Sequence, residues 1–151
     1  MRAWSSSLAA LTLSGGTLVN NGALSTNTFA LNGGSYNGSG SLTVTSVFNH
    51  SAGIFNTTGA VSITQATGNL TLTQSLATGA LTINVPAGDL TIQDAIVNAA
   101  GTMGITVGGN LNVVAVAAPT QLNSTGLQTI GANGILVQGA AAGTDFSSAI
   151  V

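Results

Sequence analysis

Lysine, glutamate and cysteine are absent from this 151-residue chain, and only Arg2, Asp89, Asp94 and Asp145 carry a formal charge. A soluble globular domain is usually about 25% charged; here the figure is 3%. One arginine without any lysine cannot neutralise a run of phosphates, which excludes nucleic acid as a partner. The same shortage removes an electrostatic grip on anionic lipid. Without cysteine there is neither a disulfide framework nor a thiolate metal site. Long apolar runs are missing as well. The longest, Val113 to Ala118, stops at Pro119, far short of the roughly 20 residues a membrane helix needs. Proline occurs only twice, so the 21 glycines turn the chain often without making it a proline-rich linker.

What remains is a polar surface of Ser, Thr, Asn and Gln, with 44% hydrophobic residues and a net charge of −2. Disorder requires low hydrophobicity and strong self-repulsion, and neither holds. A charge so near zero favours association instead.

A short phrase recurs: a glycine, one small or polar residue, then apolar–polar–apolar. It reads Gly40-Ser41-Leu42-Thr43-Val44, Gly59-Ala60-Val61-Ser62-Ile63, Gly68-Asn69-Leu70-Thr71-Leu72 and Gly79-Ala80-Leu81-Thr82-Ile83. Gly88-Asp89-Leu90-Thr91-Ile92 and Gly109-Asn110-Leu111-Asn112-Val113 continue it, and Ala10-Leu11-Thr12-Leu13 reads as a first copy without the glycine. Two interleaved series share an interval of about 20: Leu42, Val61, Leu81, and Leu70, Leu90, Leu111. Leu11 to Leu31 repeats that interval. Each phrase has the period of 2 expected of a strand with one buried face. Glycine and Asn clusters such as Gly33-Gly34, Thr58-Gly59 and Gly108-Gly109 supply residues that tolerate sharp corners.

These observations predict an all-β, right-handed parallel β-helix of about 20 residues per coil and roughly seven coils. A hairpin sandwich also uses short strands at such spacing, but its strands occupy unlike environments and need not repeat one phrase. The predicted organisation is a segment of uncertain order over residues 1–10 and one solenoid domain over 11–151. Both ends read as cut, so the domain is either whole or a segment of a longer repeat protein. The predicted core columns are Leu42, Val61, Leu81 and Leu70, Leu90, Leu111. Ile63 with Ile83, and Leu72 with Ile92 and Val113, extend them. Open strand edges at both ends predict self-association by head-to-tail stacking.

The glycine-led Leu-Thr-Leu/Ile phrases of residues 40–113 resemble the β-helical shaft repeats of filamentous haemagglutinin-type adhesins. The likeness is of repeat style, over residues 11–137, and autotransporter passengers and other surface-fibre families share it. It implies an extracellular or cell-surface location in a bacterium, an adhesive or scaffolding role, and a host-cell or matrix surface as partner. The sequence departs from those adhesins in having no recognisable N-terminal secretion domain.

Residues for catalysis are scarce. His50, the one imidazole, sits in Phe48-Asn49-His50-Ser51 and reads as an exposed turn residue. Asp89 and Asp94 flank Leu90-Thr91-Ile92 and read as solvated corners, too few for a calcium site. No catalytic residue, cofactor or metal ligand is therefore expected, and the chain is not expected to be an enzyme. Five Asn-x-Ser/Thr triplets (at Asn37, Asn49, Asn56, Asn69 and Asn123) occur as expected of such a composition. Trp4, Tyr36, Phe48 and Phe55 read as fillers of a column or a cap. The feature with functional promise is an outward ladder: Thr43, Ser62 and Thr82 on one face, Thr71, Thr91 and Asn112 on another. Such hydroxyls suit ice or a glycan, although threonine is also an ordinary exposed strand residue.

Overall fold

Alternate burial along a strand leaves the other face for water, and this chain uses that rule almost throughout. The computed structural model describes residues 5–139 and 142–144, and all their regular structure is β-strand. Arg2, Trp4 and Asp145 lie outside the described residues. The strands are β1 (Ser5–Val19), β2 (Ala23–Gly38), β3 (Leu42–Thr57), β4 (Val61–Thr64), β5 (Leu70–Leu72), β6 (Leu76–Thr78), β7 (Leu81–Val85) and β8 (Leu90–Gln93). They continue as β9 (Ile96–Ala99), β10 (Met103–Val107), β11 (Asn110–Val114), β12 (Thr120–Ser124), β13 (Gln128–Gly131), β14 (Gly134–Gln138) and β15 (Ala142–Thr144). Every pairing among them is parallel and joins one coil to the next. The fold is a β-solenoid of about seven coils with roughly 20 residues each.

Three faces run along the stack. Face one holds the first halves of β1, β2 and β3, then β4, β7, β10 and β13. Face two holds β5, β8, β11 and β14. Face three holds the ends of β1 to β3, then β6, β9, β12 and β15. The first three coils have no separate second face. There the chain folds back at Gly16, Gly34 and Gly53, with φ of 73°, 79° and 99°, values that a residue with a Cβ rarely adopts. This is why β1 to β3 run to 15 or 16 residues where the repeat predicts about five.

The coil interval is not constant. On face one it is 18 from Leu24 to Leu42, 19 to Val61, 20 to Leu81, 22 to Met103 and 25 to Gln128. The expected pairing of Leu11 with Leu31 is therefore wrong: Leu11 lies opposite Phe29, and Leu13 opposite Leu31. The apolar–polar–apolar phrase recurs within one coil, so it does not by itself distinguish position in the coil. Ala10 to Leu13 stacks in the row of Phe48 to His50, not in the row of Leu42 to Val44.

Inside, like residues stack on like. Leu42, Val61 and Leu81 are in register and buried, as are Leu70, Leu90 and Leu111. Val44, Ile63, Ile83 and Ile105 form a parallel column, and Leu72, Ile92 and Val113 another. In the narrow coils the filling is aromatic. Phe29 stacks on Phe48 at 5.5 Å and Tyr36 on Phe55 at 4.9 Å, while Phe29 meets Tyr36 edge-on at 5.4 Å. Rings thus stack along the axis and meet edge to face across it. Both geometries are favourable beyond the area they bury.

The corner leading into face one is a column of glycines. The Gly79 N–H donates to Gly59 O at 2.9 Å, and the Gly101 N–H to Gly79 O at 2.9 Å. A methyl group on Gly59 would run into the Gly40 carbonyl. Only glycine lets the turns close at strand spacing.

Leu81→Ala is expected to cost about 2–5 kcal/mol in chemical denaturation, since it empties a position packed above and below. Thr82→Ser, one residue along on the outer face, should stay within about 0.5 kcal/mol. Equal losses at both positions would contradict the facing.

Candidate functional site

Thr43, Ser62 and Thr82 lie in register on face one. The same row includes Ser7 and Ser25 before them and Gly104 after Thr82. Thr71, Thr91 and Asn112 align on face two, where the Asn112 amide donates to Thr91 Oγ1 at 3.4 Å. Leu136 ends that row. The first row is a nearly continuous line of small hydroxyls, and the second is short and mixed.

Asp89 and Asp94 sit at partly exposed corners and bind backbone of the next coil. Asp89 Oδ1 accepts the Asn110 N–H at 2.7 Å, in the same way that Asn69 Oδ1 accepts the Asp89 N–H at 2.9 Å. Each side chain of this column ties its coil to the one above. Asp94 is more specialised. Its φ of 54° is the one positive value outside glycine among the described residues. Its Oδ1 accepts the N–H groups of Val116, Ala117 and Ala118 at 2.8, 2.9 and 3.0 Å. The N–H groups of Ala118, then Ala117 and Val116, hold its carboxyl down to about 2. Those residues form the loop before β12, where the interval on face three widens from 21 (Leu76 to Val97) to 25 (Val97 to Leu122). Asp94 secures the insertion. Among the described residues no three His, Asp or Glu side chains gather as a metal site would require.

His50 differs from its reading as an exposed turn. It lies within β3, is 3% exposed and stacks on Leu31. Its Nε2 is 3.2 Å from Gly53 O. A carbonyl only accepts, so Nε2 carries the hydrogen. That leaves Nδ1 as a bare, buried lone pair without a partner among the described residues. Burial lowers the His50 pKa, with the Gly53 bond opposing it. The sequence hid this because the narrow coils place Phe48 and His50 on the inner side of a strand longer than the repeat predicts.

A depression on face three was not legible in the repeat phrase. A groove of about 460 Å³ runs past Asn56, Ala77, Asn98 and Asn123 and the corner threonines Thr58 and Thr125. A second hollow of about 350 Å³ shares Asn56, Ala77 and Asn98 and extends toward Ile54. Asn37, Asn56, Ala77, Asn98 and Asn123 are successive members of one row. The signal was present in Tyr36-Asn37-Gly38, Phe55-Asn56-Thr57, Leu76-Ala77-Thr78, Val97-Asn98-Ala99 and Leu122-Asn123-Ser124. Unequal intervals of 19, 21, 21 and 25 obscured it.

At the two ends, inward-facing apolar residues are uncovered. Leu8, opposite buried Thr26, is 40% exposed. Ile135 and Val137, opposite buried Leu111 and Val113, are 46% and 43% exposed. Compared with known proteins, the chain matches no family model, no curated protein and no solved structure.

Two pH effects follow, of opposite chemical origin and the same sign. His50 stays neutral in the fold while the unfolded chain takes up a proton below about pH 6.5. Stability should therefore fall as pH drops through that value, and His50→Phe should remove the slope in denaturation series from pH 7.5 to 5. The Asp94 contribution is present above the ordinary carboxylate range and is lost between about pH 4 and pH 2. Asp94→Ala should lower the melting temperature at pH 7, and its difference from the parent chain should shrink as pH falls from about 4 to about 2,.

Proposed function

We propose that this chain is a structural and adhesive β-solenoid acting outside the cell, as a shaft segment of a bacterial surface fibre or a subunit that stacks end to end into one. The observation that supports it most directly is the parallel ladder running through about seven coils. Each coil serves as the template for the next, so such a rod gains length by repetition and presents a long lateral surface. Among the described residues the outermost strands of the first and last coils are paired on one side only, and such an edge can accept a further strand. The uncovered Leu8, Ile135 and Val137 add apolar area at those ends. A net charge of −2 gives copies little reason to repel each other,. The resemblance of the glycine-led repeats to filamentous haemagglutinin-type shafts points the same way, and the cell-surface location and adhesive role rest on it.

The partners in this reading are a second copy, stacked head to tail, and a host-cell or matrix surface. The coil intervals set the terms of the joint. The first coil spans 18 residues and the last ones 22 to 25. Strands on faces one and three are available at both ends, whereas β14 on face two has no counterpart in the first coil. A head-to-tail joint therefore pairs two faces and leaves the third open.

A second reading, a ligand-binding solenoid acting on ice or a glycan through its outward ladder, is favoured by the alignment of Ser25, Thr43, Ser62 and Thr82. Gly104 interrupts that row one coil later.

Negative-stain images of concentrated protein should show filaments with the solenoid along their axis, and diffraction should give a strand spacing of about 4.8 Å. Monodisperse monomers that produce thermal hysteresis would select the second reading instead.

A further inference from the structure

The row of asparagines on face three has one rung missing, and the gap has a chemistry of its own. Side-chain amides stacked at strand spacing can satisfy one another. The Asn123 amide donates to Asn98 Oδ1 at 2.8 Å, one coil apart. The next position in the row is Ala77, and Asn56 follows on its far side. Asn56 and Asn98 are therefore two coils apart, roughly 10 Å at strand spacing. No amide bond spans that distance. A lip of amide stands on each side of a floor made by the Ala77 methyl. The floor is apolar and the lips both donate and accept hydrogen bonds. Among the described residues no Arg, Asp or His lines either hollow.

We propose that this notch is a binding site for a neutral polysaccharide chain lying along the solenoid axis, with one sugar ring seated over Ala77 between Asn56 and Asn98. A pyranose has what the gap lacks. Its rim of hydroxyls both donates and accepts, matching the two amides, and its C–H face suits the alanine floor. The length of one ring along an extended glycan chain is close to one coil spacing, so neighbouring sugars would meet neighbouring rungs. On one side those are Asn98 and Asn123, on the other Asn56 and Asn37. The exposed Ile54, beside the second hollow, extends the apolar floor. A charged glycan finds no counter-ion among the described residues here, and a peptide strand finds no free edge, because every strand of the face inside the stack is already paired on both sides. The inference deepens the adhesive reading by naming what the lateral surface would hold, and it needs no filament.

The experiment is titration calorimetry of the whole chain with cellohexaose and with chitohexaose, alongside Ala77→Asn, Asn56→Ala and Thr82→Ala. Ala77→Asn completes the row and fills the notch, so it should keep or raise the melting temperature while weakening binding at least tenfold. Asn56→Ala removes one lip from an exposed position and should weaken binding similarly. Thr82→Ala, on face one, should bind as the parent chain does. Failure of the parent to bind either hexasaccharide, parent-like binding by Ala77→Asn, or equal loss in Thr82→Ala would each overturn the proposal. None of these results bears on filament images, so this site and the fibre reading fail separately.

Discussion

Parallel hydrogen bonding between successive coils is the constraint from which the remaining features of this molecule derive. A chain with four formal charges cannot rely on ion pairs, and its polar side chains are mostly short. Backbone amides are the one polar resource available at every residue, and stacking satisfies them at each strand along the axis. Strand spacing then dictates the rest. Side chains in one row sit a single strand apart, so they must tolerate identical neighbours. Leucine on leucine, ring on ring and amide on amide all do. A lysine row would not, because like charges held at that distance repel.

The same spacing explains the corners. Where Gly40, Gly59 and Gly79 stack, carbonyls of one coil approach the α-carbons of the next too closely for a side chain. Where the turn needs a hydrogen-bond acceptor, Asn69 and Asp89 reach one coil further and take a backbone N–H. Asp94 takes three. At Asp89 and Asp94 the carboxylate holds a turn or loop of the next coil in place.

Much of the fold was legible in the residues from Leu42 to Val113, where glycine-led phrases mark the coils. Core columns such as Leu70, Leu90, Leu111 follow from those phrases because period 2 and coil interval agree. The N-terminal coils were harder to read. Ala10-Leu11-Thr12-Leu13 has the right alternation and the wrong place in the coil, since a three-residue pattern carries no information about which row it belongs to. His50 was misplaced for the same reason: the turn that moves it inside is made by Gly53, three residues on. The notch at Ala77 was invisible because a missing rung is only apparent once the row is known. Widening intervals concealed the row itself.

That widening has a physical role. A solenoid of identical coils can slip by one whole coil and lose few contacts, since every row meets its own likeness again. Here no two neighbouring intervals after the first are equal on face one: 18, 19, 20, 22 and 25. A slipped coil would need to lengthen or shorten its corners, and the corners are occupied. Aromatics fill only the narrow coils, and the loop held by Asp94 fits only the wide ones. Repetition supplies the stability of the stack, and graded departure from repetition supplies its unique register. The first and last described coils consequently differ in size, with intervals of 18 residues against 22 to 25.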